Sequence, residues 1–185
     1  MTHRPDRRFF LGASASTLAA AVAAAWGWHS GATHAAEPAK FEVTRTDAEW
    51  RKLLTPNQYA VLRQDGTERP YSSPLNDEHR EGRFACAGCS LELFSSKTKF
   101  DSRTGWPSFW QPLPNAVGEK SDSSYGMTRT SVHCRRCGGH LGHVFDDGPA
   151  PTGKRWCMNS AAMQFIPKEK MKALGYGDYL YLFER

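Results

Sequence analysis

The strongest constraint on the fold of this chain is a pair of Cys-x-x-Cys motifs. "CAGC" holds Cys86 and Cys89, and "CRRC" holds Cys134 and Cys137, with 44 residues between the two motifs. Tetrahedral zinc takes four soft ligands, and each such turn brings two thiolates to one point. The pattern therefore predicts a structural four-cysteine site for one Zn²⁺ that ties two distant parts of the chain together.

Other chemistries of the same four cysteines stay open at this stage. They are compatible with disulfides in an oxidising compartment, or with a redox-active Cys-x-x-Cys. Two matched pairs favour one shared metal ion, and iron is the alternative to zinc. His140 follows the second motif closely, but it is not needed as a ligand where four thiolates are available.

Residues 1–35 have the pattern of an export signal. Arg7 and Arg8 lie in a positive stretch, an alanine-rich apolar run follows, and small residues near Ala35 suit cleavage. An arginine pair before a weakly apolar run is similar to a twin-arginine signal, a route that carries folded proteins. We expect residues 36–185 to form one domain that works in the periplasm or is otherwise exported. An ordinary secretory signal or an uncleaved membrane anchor is the alternative.

Charge patterning narrows the range of partners. The net charge is +5, and no run of Lys or Arg is long enough to form a stripe that binds nucleic acid. We therefore expect no nucleic-acid partner, and no membrane association once the signal is removed. We also expect a monomer.

The mature chain predicts two short helices followed by many short strands. "TDAEWRKLL" and "TPNQYAVL" each begin with the spacing of a capping box, which predicts helices over residues 47–53 and 56–62. Turn residues then separate short aromatic and β-branched runs, which is typical of a mostly antiparallel sandwich or open barrel. The expected strands are RFACA, LELFSS, PSFWQPL, VGEKSD, MTRTSVHCR, HVFDDG, RWCMNSAAMQF and YLYLF.

The fifth cysteine, Cys157 in "GKRWCMNS", has no partner in either motif. Side chains of a strand alternate between two faces, so Arg155, Cys157 and Asn159 share one face, while Trp156 and Met158 share the other. A thiol beside a cation is favoured as the nucleophilic thiolate. A buried, inert cysteine is the alternative.

Two further stretches hold residues suited to a reactive site. His140, His143 and Asp147 lie within eight residues, and a histidine whose pKa a carboxylate raises is a natural proton donor near neutral pH. Trp106, between a glycine and a proline in "TGWPSFW", is held in a stiff turn. A core tryptophan is the alternative for that position.

Together these stretches resemble a B-type methionine-sulfoxide reductase. "GWPSF", "HLGHVFDDGP" and the Arg-aromatic-Cys-x-Asn-Ser segment carry the resemblance, which runs from Phe41 to Phe165. It implies a mostly β fold of two antiparallel sheets with flanking helices, and the zinc-containing members have two matching Cys-x-x-Cys pairs. It also implies the reduction of methionine-R-sulfoxide, free or in oxidised proteins, which repairs an oxidative lesion.

The resemblance also assigns roles at the reacting atoms. The Cys157 thiolate would attack the sulfoxide sulfur and become a sulfenic acid. His143 would give a proton to the sulfoxide oxygen, with His140 and Asp147 supporting it.

Three more residues take supporting roles by the same resemblance. Arg155 would lower the pKa of Cys157, and Asn159 would help to fix the site. Trp106 would hold the ε-methyl group of the substrate.

One position departs from the pattern of this family. Many members carry a resolving cysteine two residues before the tryptophan of "GWPSF", and Thr104 stands there in this chain. Four cysteines are assigned to zinc, so none is left to form an internal disulfide with Cys157. We expect an external thiol reductant instead, which is thioredoxin-like, glutaredoxin-like or a small thiol; a zinc-site cysteine that moves a long way is the alternative.

Two other function classes are alternatives to a reductase. A non-enzymatic zinc-ribbon module would explain the four paired cysteines but not Cys157 or "GWPSF". A thiol-disulfide oxidoreductase would cycle one of the Cys-x-x-Cys pairs instead of Cys157.

Overall fold

The computed structural model of the protein describes residues 41–184. The predicted export signal lies outside these residues. Within them, no helix combines the length and the apolar character that a membrane crossing needs.

Two capped helices open the described chain, as predicted. The first, α1, spans Asp47–Leu53, and Thr46 and Glu49 form the expected capping box. The second, α2, spans Pro56–Gln64 and ends two residues later than predicted, where Asp65 adopts a left-handed conformation with φ of 52°. These helices pack with the main hydrophobic core.

Nine strands within residues 41–184 form two antiparallel sheets, which confirms the predicted mostly β fold. The strands are β1 Gly82–Cys86, β2 Glu92–Ser95, β3 Lys99–Phe100, β4 Ser108–Phe109, β5 Val117–Asp122, β6 Arg129–Cys134, β7 His140–Phe145, β8 Arg155–Met158 and β9 Met163–Pro167. One sheet has the order β2-β1-β9, and the other has the order β3-β4-β8-β7-β6-β5.

Short helices connect and follow the strands. The α-helix α3 spans Lys168–Met171. The 3-10 helices span Pro74–Asp77, Ser96–Thr98, Ser124–Gly126, Ser160–Ala162 and Gly177–Leu182.

Three strand predictions need correction. "YLYLF" lies largely in the last 3-10 helix, and Phe183, which follows it, is buried against Ile166 and Met171 in a second apolar cluster. "RWCMNSAAMQF" is divided by a 3-10 turn into β8 and β9, which belong to different sheets. "PSFWQPL" contributes only the two residues of β4, because its prolines lack the N–H that a strand interior needs.

The two sheets pack face to face through aromatic side chains. Phe109 of the larger sheet stacks on Phe94 of the smaller sheet, with ring centroids 4.3 Å apart, and meets Phe84 edge-on at 4.9 Å. Trp156 and Met158 of β8 are buried in the same core. The alternate side chains of β8 therefore point to the opposite face of the larger sheet, where the site lies.

Candidate active site

The four paired cysteines meet in one cluster. Their sulfur atoms all lie within 4.8 Å of one another. The closest contacts join Cys86 to Cys137 at 3.7 Å and Cys89 to Cys134 at 3.5 Å. Four thiolates around a tetrahedral zinc ion have sulfurs about 3.8 Å apart, given Zn–S bonds of about 2.3 Å. The cluster therefore fits a metal ion, and its closest contacts run between the two motifs instead of within either one.

The two motifs have the same backbone geometry. The Ser90 N–H donates to the Cys86 carbonyl at 2.8 Å, and the Gly138 N–H donates to the Cys134 carbonyl at 2.9 Å. Ser90 and Gly138 both have positive φ, at 58° and 70°. The four thiols share hydrogen bonds, so the proton affinity of each depends on the others: the pKa of Cys137 is lowered, while the pKa values of Cys86 and Cys134 are raised.

Cys157 lies in the middle of the larger sheet. It pairs with Ser108 of β4 on one side and with His143 of β7 on the other. Residues paired across an antiparallel ladder point to the same face, so His143 stands directly beside the thiol. Gly142 makes this approach possible, because a Cβ there would lie 2.1 Å from the Cys157 carbonyl oxygen.

A β-bulge brings His140 to the same face as His143. A spacing of three residues places side chains on opposite faces of a regular strand. The pairing of β6 with β7 shifts between Gly142 and His140, which inserts Leu141 as an extra residue. The two imidazole rings consequently meet edge to face, with centroids 5.4 Å apart.

The carboxylate that holds His143 is Asp122, which the sequence analysis missed. His143 Nε2 donates to Asp122 Oδ2 at 2.8 Å, and Arg129 Nη2 donates to the same oxygen at 2.8 Å. Hydrogen bonds from Ser124 and then from His143 hold the pKa of Asp122 well below its ordinary value. The carboxylate is therefore ionised at neutral pH and can stabilise a protonated imidazole.

Asp147, which the sequence placed beside the histidines, instead forms an ion pair with Arg155. Arg155 Nε and Nη2 each donate to one of its carboxylate oxygens at 2.8 Å. The guanidinium also lies over the Phe145 ring, 4.4 Å from the centroid. Asp147 thus fixes the orientation of Arg155, and the described hydrogen bonds of His143 lead to Asp122 instead.

The pKa of Cys157 is raised, which differs from the predicted effect of Arg155. Burial is the main cause, because it disfavours the charged thiolate. Thr104, Arg155 and Ser108 all act in the opposite direction, so the predicted influence of the arginine is present but is outweighed. Cys157 is consequently a protonated thiol at neutral pH in the resting protein.

His140 has a neutral ring at the same pH. It is 2% exposed, its Nδ1 lies 3.1 Å from the Ser131 hydroxyl, and burial lowers its pKa to about 4. A neutral imidazole with so low a pKa is a poor proton donor. His140 therefore serves as packing against His143, while His143 stays the better candidate for proton transfer.

Trp106 and Asn159 border a small pocket over the thiol. The pocket measures about 120 Å³ and also contacts Cys157 and His143. The Trp106 indole Nε1 donates to the Glu68 carbonyl at 3.2 Å, and Asn159 Nδ2 donates to the Leu141 carbonyl at 3.1 Å. The structure therefore brings the predicted tryptophan, cysteine, histidine and asparagine together.

Thr104 lies directly beside Cys157. Its hydroxyl oxygen is 3.9 Å from the Cys157 sulfur and 2.8 Å from the Ser102 hydroxyl. Ser102 continues to the buried Ser108 hydroxyl at 2.7 Å. A chain of three hydroxyls thus stands where a second thiol would be needed for an internal disulfide.

Fold and site together define a class of protein, namely a two-sheet β domain with a cluster of four cysteines and a separate cysteine in a pocket lined by histidine and tryptophan. The SelR domain matches residues 54–167. The chain is 55% identical over 131 residues to the peptide methionine sulfoxide reductase MsrB of Methanosarcina barkeri, covering 70% of this chain and 92% of that one. It is 52% identical over 126 residues to the MsrB of Leptospira interrogans, covering 68% and 96%.

A longer relative matches over more of the chain. The chain is 52% identical over 146 residues to the MsrA/MsrB protein of Vibrio cholerae, which covers 78% of this chain and 39% of that protein. The chain therefore belongs to the SelR-domain family of MsrB-type methionine sulfoxide reductases, and it is an oxidoreductase.

Proposed function

We propose that the protein reduces methionine-R-sulfoxide, free or within oxidised proteins, to methionine by thiol chemistry at Cys157. One observation carries the proposal: Cys157 faces His143 across β7 and β8, in a pocket bordered by Trp106. The pocket is small and partly apolar, as a thioether side chain requires. The family membership of the chain supports the same substrate class.

The first half of the reaction balances without an external proton. The Cys157 sulfur attacks the sulfoxide sulfur, the sulfur–oxygen bond breaks, and the oxygen is transferred to Cys157. Thiol and sulfoxide thus give sulfenic acid and methionine, so the cysteine is oxidised while the substrate sulfur is reduced. His143 takes the proton of the thiol and then gives it to the oxygen, and Asp122 stabilises the imidazolium between these two events.

The neighbouring side chains bind and orient the reactants. Trp106 offers an apolar wall for the ε-methyl group of the substrate. Arg155, which Asp147 holds in place, favours the thiolate as the attack begins. Asn159 ties the end of β8 to the Leu141 carbonyl and so fixes the strand that carries the nucleophile.

The sulfenic acid is reduced by an external thiol in this proposal. Cys134 lies three residues along β6 from Ser131, and Ser131 lies two strands away from Cys157. Those steps place the two cysteines about 14 Å apart, at about 3.3 Å per residue and about 4.8 Å per strand. A disulfide needs Cα atoms within about 7 Å, so the cluster is out of reach without rearrangement.

The second half of the cycle then uses two thiol groups from outside the chain. The first forms a mixed disulfide with Cys157 and releases water. The second attacks the reductant sulfur of that bond and restores the Cys157 thiol. A thioredoxin-like protein, a glutaredoxin-like protein or a small thiol can each supply this chemistry.

The decisive experiment is stereospecific. Wild type, supplied with dithiothreitol, is expected to consume methionine-R-sulfoxide and leave the S epimer untouched, and Cys157→Ser is expected to be inactive. His143→Gln should lose about 10²-fold in kcat, while the matched change at the exposed His79 should not. Consumption of the S epimer, or an active Cys157→Ser variant, would reject the proposal.

We further propose that the four clustered cysteines hold one structural Zn²⁺. The ion would cross-link the turn after β1 to the turn after β6, and the reaction would not pass through it. Elemental analysis of purified protein should give about one zinc per chain. Iron in its place would overturn the metal assignment alone.

We also propose that a twin-arginine-like signal exports the protein, and that it repairs oxidised proteins in the periplasm. The support is the sequence of residues 1–35. Replacing Arg7 and Arg8 by lysine should retain the protein inside the cell, and the exported form should begin near residue 36 and run as a monomer. Normal export of the lysine variant would reject the twin-arginine route.

A further inference from the structure

Glu68 is a buried acidic residue between α2 and the first 3-10 helix. It is 8% exposed. Among residues 41–184 its carboxylate has no cationic partner; it accepts hydrogen bonds from the backbone N–H groups of Ser160 at 2.5 Å and Ala161 at 2.9 Å. A carboxylate kept out of water needs such charge-assisted bonds. Glu68 is therefore fastened to the turn that directly follows the nucleophile strand β8.

The backbone of the same residue reaches two side chains of the site. Its N–H donates to Asn159 Oδ1 at 3.0 Å, and its carbonyl accepts from Trp106 Nε1 at 3.2 Å. Asn159 in turn is held by the Leu141 carbonyl of β7. One residue thus connects the wall of the pocket to the end of the strand that carries Cys157.

The indole of Trp106 depends on this connection. Its only described hydrogen bond goes to the Glu68 carbonyl. The backbone of the preceding Gly105 is held, because its carbonyl accepts from the Tyr71 N–H at 2.8 Å, but this bond does not fix the rotation of the Trp106 ring. If the carboxylate of Glu68 loses its bonds to Ser160 and Ala161, the described hydrogen bond to Asn159 alone still holds the backbone that carries the acceptor for the indole.

We infer that Glu68 is a positioning residue that sets the gap between Trp106 and the Cys157 sulfur, and thereby the size of the alkyl group that the pocket accepts. The inference rests on the proposed function, because it concerns the wall against which the substrate methyl group would pack. Glu68 acts through Trp106 and does not touch the reacting atoms. The carboxylate accepts the Ser160 N–H at Oε1 and the Ala161 N–H at Oε2, whereas an amide offers one oxygen and places an NH₂ group against the other N–H.

The test is a double-mutant cycle with Glu68→Gln and Trp106→Phe. Glutamine keeps the size of the side chain but can accept at only one oxygen, and phenylalanine keeps a ring but removes the indole donor. We expect each single variant to lose about 10-fold in kcat/KM for methionine-R-sulfoxide, mainly through KM. The double variant should match Trp106→Phe within about 2-fold, because the two residues act as one unit.

Two readouts separate positioning from a merely structural role. The preference for the methyl sulfoxide over its ethyl analogue should fall in Glu68→Gln, while the rate of Cys157 alkylation by iodoacetamide stays within about 2-fold of wild type. A change in folded fraction alone would lower turnover of both sulfoxides together and leave the preference intact, while the thiol exposed in the unfolded fraction would be alkylated faster. Losses that multiply in the double variant, or an unchanged alkyl preference, would overturn the inference.

Ser160→Pro disrupts the same contact between Glu68 and the turn after β8 by changing the donor instead of the acceptor. It replaces Glu68→Gln in the test if that variant does not fold. Proline removes the Ser160 N–H, and the preceding Asn159 already has the extended conformation that a residue before proline adopts, with φ of −67° and ψ of 130°. It should raise KM by about 3-fold or more and reduce the alkyl preference. If the wild type fails to reduce methionine-R-sulfoxide, the proposed function is rejected. If the wild type is active but the losses of Glu68→Gln and Trp106→Phe multiply in the double variant, only the role of Glu68 is rejected.

Discussion

Replacing His140 by asparagine should make the stability of the protein less sensitive to acid. His140 is 2% exposed, and burial lowers its pKa to about 4 in the folded state. An unfolded chain returns the ring to water, where a histidine has a pKa near 6.5. The folded state therefore stays neutral over a pH range in which the unfolded state takes up a proton.

The sign and the size of the effect follow from that difference. Above about pH 6.5 neither state binds the proton, so His140 costs the folded state nothing. As the pH falls towards about 4, only the unfolded state gains a proton, and the free energy of unfolding decreases. Between about pH 7.5 and about pH 5, the two pKa values give a loss of about 2 kcal/mol from this one residue.

Urea unfolding, followed by tryptophan fluorescence at a series of pH values, measures this loss. Asparagine can keep the contact that His140 Nδ1 makes with the Ser131 hydroxyl, but it does not titrate. Acid also protonates the cysteine cluster, but that effect is common to both proteins and cancels in their difference. A matched change at the exposed His79 should keep the wild-type pH dependence.

The comparison has a clear refuting result. If the difference in unfolding free energy between wild type and His140→Asn stays constant within about 0.5 kcal/mol over this pH range, the ring is not buried in a neutral state. The His79 variant must at the same time follow wild type, so that an altered unfolded state is not mistaken for the effect.

Four further outcomes are expected. Alkylation of Cys157 should accelerate with pH and reach its midpoint above that of an ordinary thiol, because burial raises its pKa; a midpoint near neutral pH would contradict this. Thr104→Cys should allow an internal disulfide with Cys157 after one turnover, counted as the loss of two free thiols by mass spectrometry, since the two side chains are 3.9 Å apart now. Asp122→Asn should lower kcat by about 10-fold or more with little change in KM, because His143 loses its ionised partner; equal rates in steady-state assays would exclude that role. Cys134→Ser should release the metal and lower the unfolding temperature by about 10 °C or more in calorimetry, and a metal-loaded, equally stable variant would show that the cluster is not a structural site.

The features that the sequence predicts well are local ones. The capping boxes at Thr46 and Thr55 need only residues three positions apart, and both are present in the structure. The face that Arg155, Cys157 and Asn159 share follows from the period of a single strand. The clustering of the four cysteines also follows from the motifs themselves, because each turn supplies half of the site.

The partners of the site residues depend on strand pairing, which the sequence does not display. Asp147 is four residues from His143 in the chain, yet the carboxylate that bonds His143 belongs to Asp122, 21 residues away on β5. The shared face of His140 and His143 arises from a bulge whose position depends on β6. A capping-box pattern is readable from one segment, whereas these contacts are set by how separate segments align.

"YLYLF" shows the same limit in the fold. Its alternation of tyrosine with leucine and phenylalanine suits a strand, but a strand forms only beside a partner. The edges of the smaller sheet are β2 and β9, and neither pairs with this segment. The chain instead winds into a 3-10 helix, and Phe183 becomes buried against the outer face of that sheet.

The raised pKa of Cys157 and the threonine beside it have a common consequence. A thiolate is the form that oxidants attack, so a thiol kept protonated at rest is oxidised slowly. That protection matters more where Thr104 replaces a second thiol, because a sulfenic acid that is not trapped as a disulfide can proceed to the irreversible sulfinic acid. Protonation of the Cys157 thiol does not hinder the proposed reaction, because the oxygen of the substrate takes up the proton that the thiol carries. Under the proposed mechanism, burial of Cys157 would therefore favour reaction with the sulfoxide, which takes up the thiol proton in the pocket, over reaction with oxidants that require a free thiolate.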